Sequence, residues 1–150
     1  MKSILRLSLL VAFVCFFSSC RKHVDTGYAQ LTGKWFLSNA SQGDGYRWNT
    51  FYTGFEPGVF NFYSDGTATY SDAQSFLEGY WTVTTVTSGY YDQFGHYIND
   101  VHQEMQLNIQ DYYTGEQLNL YFNQVDYQGS IFYGNYYDGN YATRYNFIRY

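Results

Sequence analysis

The sequence is poor in proline, cysteine and charge, with 1 Pro, 2 Cys and 14% charged residues in 150. So few charges, beside 45% hydrophobic residues, exclude a disordered or low-complexity chain. Basic residues number 8 against 13 acidic ones, which argues against nucleic acid as a partner, because phosphate binding needs a basic surface. No apolar run reaches the roughly 20 residues of a bilayer-crossing helix. The run from Leu7 to Phe17, interrupted by Ser8, falls well short of it. The length allows one compact domain and excludes two. What the chain has in excess is aromatic: 19 Tyr, 13 Phe and 3 Trp, 23% of all residues.

The N-terminus, with Lys2 and Arg6 before the apolar run, reads as a secretion signal. Phe17-Ser18-Ser19-Cys20 follows and resembles the lipobox of bacterial lipoproteins, in which small residues precede a Cys that takes a diacylglycerol and becomes the mature N-terminus. Phe17 departs from the Leu usual in that motif, and Cys15, preceded by Val14, does not fit it. The resemblance implies a signal peptide over 1–19, a lipid anchor on Cys20 and a tether over 20–30 ahead of a domain at 31–150. An ordinary signal peptide cut near Ser19 is the alternative. With Cys15 discarded and Cys20 capped by lipid, no thiol remains for a disulfide, a zinc ribbon or a nucleophile. Arg21 stands where an Asp would retain a lipoprotein at the inner membrane, so the resemblance favours the outer membrane, facing the periplasm.

Loss of Lys2 and Arg6 with the signal leaves six basic against 13 acidic residues, a net charge of −7. Beyond the tether, Lys34, Arg47, Arg144 and Arg149 are the body's cations. Such a balance keeps a protein soluble and also suits a basic protein partner.

The body alternates polar and apolar residues with the period of two of β-strands. Met105, Leu107 and Ile109 alternate with Gln106, Asn108 and Gln110, and Leu118, Leu120 and Phe122 with Gln117, Asn119 and Tyr121. Turn chemistry recurs at Tyr63–Gly66, Asp111–Gly115 and Tyr136–Gly139, where Gly supplies a positive φ. Strands are expected near 33–39, 59–63, 67–72, 78–86, 103–111, 116–124, 128–134 and 141–149. The expected fold is therefore all-β, an eight-stranded antiparallel up-and-down β-barrel, with an open β-sandwich as the alternative. Trp35, Trp81, Phe122 and Phe147 fall on its inner face.

Gly33-Lys34-Trp35 opens the first strand and Tyr145-Asn146-Phe147-Ile148-Arg149 closes the last. The pair resembles the lipocalin-like, or calycin, pattern, and Phe60–Thr67 is similar to the second hairpin of small bacterial lipocalin-like lipoproteins. The resemblance implies that the Trp35 indole packs against Arg149 near Gly33 to close the blind end of the barrel. The helix that larger lipocalins carry after the last strand is missing, so no ligand is carried over from them.

Strand order places the connections near 40–58, 73–77, 112–115 and 135–140 at the opposite end. They carry Trp48, Phe51, Tyr52, Phe55, Tyr112, Tyr113, Tyr136 and Tyr137, with Tyr46 and Phe76 beside them. Rings with polar tips suit a sugar or a small amphiphile, and the 40–58 segment is long enough to act as a lid. The same rings could instead cover the open end as a satellite core.

His96, Asp100, His102 and Glu104 would share a face on a continuous strand and could hold a metal. Gly95 and Tyr90–Gln93 mark a loop there, so no metal and no cofactor are expected. No Gly-x-Ser-x-Gly, phosphate loop or His-Glu-x-x-His occurs. Glu56, Glu78, Glu104 and Glu116 are the carboxylates a glycosidase pair would draw on, since that chemistry needs two acids at a set separation. The expectation is a non-enzyme: a lipid-anchored envelope protein binding a small hydrophobic or glycan ligand at an aromatic mouth. The other reading is an acidic interaction or structural protein docking on a basic partner, as a lysozyme inhibitor would.

Overall fold

The structure, a computed structural model, describes residues 26–44 and 46–150. The expected signal peptide, the lipidation site Cys20 and the first part of the tether lie outside the described residues. Among the described residues one short helix, α1 (Thr26–Leu31), precedes ten strands: β1 (Gly33–Gly43), β2 (Trp48–Phe51), β3 (Val59–Phe62), β4 (Thr67–Ser71), β5 (Phe76–Tyr91), β6 (Tyr97–Gln110), β7 (Gln117–Phe122), β8 (Gln124–Gln128), β9 (Ile131–Tyr137) and β10 (Ala142–Arg149). Among the described residues no helix is long and apolar enough to cross a membrane.

The strands form one antiparallel sheet in the order β7-β6-β5-β4-β3-β1-β10-β9-β8, with β2 on β1. The fold is all-β, as expected, but the hydrogen-bonded ladder does not close and the strand count is ten rather than eight. Three local features account for the difference. Residues 40–43 extend β1 and pair with β2, Ala40 opposite Phe51 and Gly43 opposite Trp48, so much of the expected lid is a hairpin. The segment read as one strand over 116–124 ends at Phe122, and β8 follows after Asn123 and turns back into β9 through Gly129, whose φ is +65°. The stretch between 87 and 102, read as a loop, is instead ladder: β5 and β6 pair from Glu78 opposite Gln110 out to Tyr91 opposite Tyr97. Asp92 makes that long hairpin's turn by accepting the N–H groups of Phe94 and His96, each at 2.8 Å.

The ends of the sheet, β7 and β8, are consecutive in the chain and separated only by Asn123. The sheet therefore wraps round until its two edges meet at one residue. Its interior is filled by side chains: Trp35, Trp81, Tyr70, Phe60, Phe62, Phe122, Phe132 and Phe147 are fully buried. Phe132 and Phe147 stack with centroids 4.4 Å apart, and Phe132 meets Trp35 edge-on at 4.8 Å. Part of the aromatic surplus fills this interior, where a wrapped sheet this wide needs large rings to reach across it, while more of the described rings, most of them Tyr, stand at the surface.

Candidate functional site

The N-terminal end of the sheet is sealed by α1. The Arg149 guanidinium lies 4.3 Å from the Trp35 ring centroid and donates to the carbonyls of Thr32 at 3.2 Å and Gln30 at 2.6 Å. The Trp35 indole N–H donates to the Leu31 carbonyl at 2.7 Å. These bonds satisfy carbonyls that the end of a helix leaves without partners. Gly33, at φ +125°, leaves room for the arginine: a Cβ there would sit 2.8 Å from an Arg149 nitrogen.

At the other end the loops gather. The Ser75 hydroxyl donates to Glu116 at 2.9 Å, joining the β4–β5 turn to the β6–β7 turn. Tyr70 donates to Asp72 at 2.8 Å, and burial together with that carboxylate holds its phenol well above the ordinary range. The eight rings expected at a mouth are divided among several surroundings. Phe55 packs edge-on against Tyr70 at 5.1 Å, and Phe51 meets Tyr145 at 6.2 Å. Trp48 lies under Arg144 at 5.0 Å, Tyr136 meets Tyr121 at 6.1 Å, and Tyr137 donates to the Gly139 carbonyl at 2.7 Å. Tyr52 and Tyr113 are exposed, and Tyr112 borders a separate groove with Tyr80. A smaller groove of about 420 Å³ lies beside the β1–β2 hairpin, between Phe51, Tyr141 and Arg47.

A larger groove, about 800 Å³, lies along the seam where β8 passes β6. Its walls include Asp100, His102, Gln103 and Glu104 of β6, Val125, Asp126 and Tyr127 of β8, and Asn123, Tyr137 and Gln30. The origin of the opening is a difference in strand length: β6 pairs with β7 only from Met105 to Gln110. Among the described residues no strand pairs with that edge of β6 at 97–104, nor with the edge of β8 turned away from β9. Where β7 passes β9, by contrast, the seam is sealed. Phe122 lies over Gly134, where a Cβ would come within 2.6 Å of the ring, and the Asn123 side chain bonds the backbone of Tyr137.

Charge is distributed unevenly around this frame. Asp44, Asp65, Asp72, Asp92, Asp111 and Asp138 sit at turns, where each accepts backbone N–H bonds that hold its carboxyl below the ordinary range; for Asp65 the Thr67 hydroxyl contributes most. Of the carboxylates on strands, Asp100, Glu104 and Asp126 line the large groove and only Glu78 stands elsewhere. Glu104 accepts from the Tyr121 hydroxyl at 2.9 Å, a bond that raises the phenol, and Asp126 accepts from Gln124 and Asn135. Three of the body's four cations are engaged with rings, Lys34 over Tyr150 at 5.5 Å, Arg144 over Trp48 and Arg149 over Trp35, while Arg47 lines the smaller groove. Among the described residues the ion pairs involve His96 and His102 and no Lys or Arg.

The candidate metal ligands are placed differently from the sequence expectation. Asp100, His102 and Glu104 do lie on a continuous strand, with His102 Nδ1 2.9 Å from Asp100 and its Nε2 3.8 Å from Glu104. His96 is in the hairpin turn, 3.3 Å from Asp92. Among the described residues no three His, Cys, Asp or Glu side chains are placed to hold a metal. The candidate hydrolytic carboxylates have different surroundings: Glu56 accepts from the Thr53 and Gly54 N–H groups, Glu104 from Tyr121 and Glu116 from Ser75, and Glu78 is exposed on β5. Comparison with family profiles, with curated proteins and with solved structures finds no match to this chain.

Asn123, Gln103 and Asp126 were not singled out from the sequence. A usable signal was present for the hairpin, since Asp92-Gln93-Phe94-Gly95 repeats the Asp-to-Gly turn chemistry of Asp111–Gly115. None marked Asn123, whose importance comes from where two sheet edges meet.

Proposed function

We propose that this protein is a lipid-anchored component of the cell envelope whose domain is a binding module, docking a basic protein partner on an acidic surface. The observation that carries this reading is the contrast between an interior occupied by rings and a large open groove lined by Asp100, Glu104 and Asp126. Among the described residues those carboxylates form no ion pair with Lys or Arg: Lys34, Arg144 and Arg149 lie on rings, Arg144 reaches Asp126 only through Asn135, and Arg47 lines the smaller groove. The fold is read as a lipocalin-like barrel opened along the β7–β8 strand, with Gly33, Trp35 and Arg149 as its blind-end closure. The anchor rests on Phe17–Cys20, and the place is the periplasmic face of the outer membrane. Binding, not catalysis, is the activity.

The test is binding of a basic globular protein, such as a lysozyme, to the detergent-extracted protein over a range of salt. Affinity should fall steeply with ionic strength, because surface charges are screened over about 8 Å at physiological salt. Affinity that does not change with salt refutes the reading. Labelling with an alkyne fatty acid, lost in Cys20→Ser, tests the anchor.

A second reading, a glycan or small amphiphile, is favoured by the smaller groove, where Phe51 and Tyr141 stand beside Gln42, Asn49 and Thr50. Tryptophan fluorescence titrated with glycan fragments and fatty acids separates the two, since Trp48 adjoins that hairpin and only the second reading expects a shift.

A further inference from the structure

The open groove has two properties that a merely acidic surface lacks. Among the described residues, one wall is a strand edge without a neighbour, residues 97–104 of β6, and the other is the free edge of β8. An exposed edge presents alternating N–H and C=O groups and is a template for an added strand. The hairpin that carries the edge also leaves apolar surface in solvent, with Val101 and Ile98 exposed beside it.

We propose that the β6–β8 seam is a docking groove for one extended, basic segment of a partner protein, added as a strand to the edge of β6. This deepens the reading above and rests on it. The segment runs antiparallel to β6, the longer free edge and the geometry that pairs more stably. Because a strand turns successive side chains to opposite faces, one set of its side chains meets Asp100, Glu104 and Asp126, and the other faces Val125 and Gln103 on the inner side. The occupant therefore alternates cationic with apolar or amide-bearing residues.

Charge decides against the other occupant of a free edge, a second copy of this chain. Two copies meeting edge to edge would bring Asp100 and Glu104 of each together with His102 as their one basic neighbour and no Lys or Arg among the described residues, and like charges on paired strands are destabilising. The same carboxylates attract Lys and Arg, so they block self-pairing while selecting a basic segment.

The experiment measures binding of a (Lys-Val)5 peptide to the detergent-extracted protein. Comparisons are the same peptide N-methylated at every residue, which has no N–H to donate to a ladder from either edge, and (Glu-Val)5. The variant combines Asp100→Asn, Glu104→Gln and Asp126→Asn, which preserve shape and hydrogen bonding. The expected result is binding of (Lys-Val)5 that weakens about tenfold or more in the variant, is lost on N-methylation and is not seen with (Glu-Val)5. Hydrogen exchange at residues 97–104 of the unaltered protein should slow when the peptide binds, a readout that does not depend on the variant's folding. Equal binding of the N-methylated peptide, or unchanged exchange at 97–104, overturns strand addition. If the basic globular protein binds in a salt-dependent way and the variant binds it equally well, the groove is wrong and the broader reading stands. If neither that protein nor the peptide binds, both fall.

Discussion

The Asn123 side chain stands opposite Tyr137 as a backbone amide would: its Nδ2 donates to the Tyr137 carbonyl at 2.8 Å and its Oδ1 accepts the Tyr137 N–H at 3.1 Å. This one side chain supplies the rung that the ladder lacks at the meeting of its ends. Asn123→Ala should cost about 1 kcal/mol, the net worth of such bonds at a half-buried site. Asn123→Asp removes the donor and sets a carboxylate against the Tyr137 carbonyl. Its deficit relative to the native protein should shrink as the pH falls below about 4, where a protonated carboxyl again offers one donor and one acceptor. Denaturant titrations of the three proteins at pH 7 and pH 3.5 check this, and a deficit for Asp that does not change with pH speaks against the pairing.

Phe122 and Gly134 seal the seam between β7 and β9. A Cβ on residue 134 would stand 2.6 Å from the Phe122 ring, so Gly134→Ala forces that ring to move and should destabilise by about 1–3 kcal/mol. Combined with Phe122→Leu, the alanine should cost less than the sum of the two single changes, since they share one space. Additive costs in a double-mutant cycle would show that the contact carries no energy.

Arg149 is expected to hold α1 through the helix-end carbonyls as well as through the Trp35 face. Arg149→Met retains aliphatic packing and loses both donors, with an expected loss of about 1–3 kcal/mol, more than an exposed ion pair would contribute. Arg149→Lys should recover only part, because a compact ammonium cannot stack on the indole and span Thr32 and Gln30 at once. Chemical denaturation midpoints rank the three; equality of Lys with the native Arg would contradict the geometry.

The six turn aspartates set an acid limit. Their folded carboxyls are held below the ordinary value by hydrogen bonds, so near pH 4 the unfolded chain binds more protons than the folded one. Their contribution is present above that ordinary value, about 4, and is lost as the pH falls through the lowered folded values. The melting temperature should be level from pH 7 to 5 and drop below about pH 4. Asp111→Asn and Asp138→Asn keep the accepting oxygen and cannot titrate, so their melting temperatures should drop less across that range. An unchanged slope would place the acid sensitivity elsewhere.

Much of the strand pattern could be read before any coordinates, and its failures have local causes. Met105, Leu107 and Ile109 are buried while Gln106 and Asn108 are exposed, as their alternation requires. The turns at Gly66, Gly115 and Gly139 have φ of +88°, +78° and +98°. The outer half of the β5–β6 hairpin escaped because both its faces meet solvent, so residues 84–91 carry no inward set for a period of two to reveal. The rings at 48–55, 112–113 and 136–137 all read as lying on connections, whereas Trp48 and Phe51 belong to β2 and Tyr136 and Tyr137 to β9, and linear order could not divide Phe55, turned toward Tyr70, from Tyr113, turned to water.

The sequence by itself determined that the chain would be β-rich, with turns at particular glycines and aspartates, because backbone sterics and side-chain alternation act over neighbouring residues. It also determined a net negative charge, though not where that charge would gather. Only the tertiary structure decided that the aspartates of turns and the carboxylates of strands would part company, with Asp100, Glu104 and Asp126 brought to one open seam. That outcome depends on the wrap of the sheet, in which β6 outruns β7 and Asn123 joins the two edges. Such a meeting of residues distant in the chain is set by the packing of the whole interior and has no local signature.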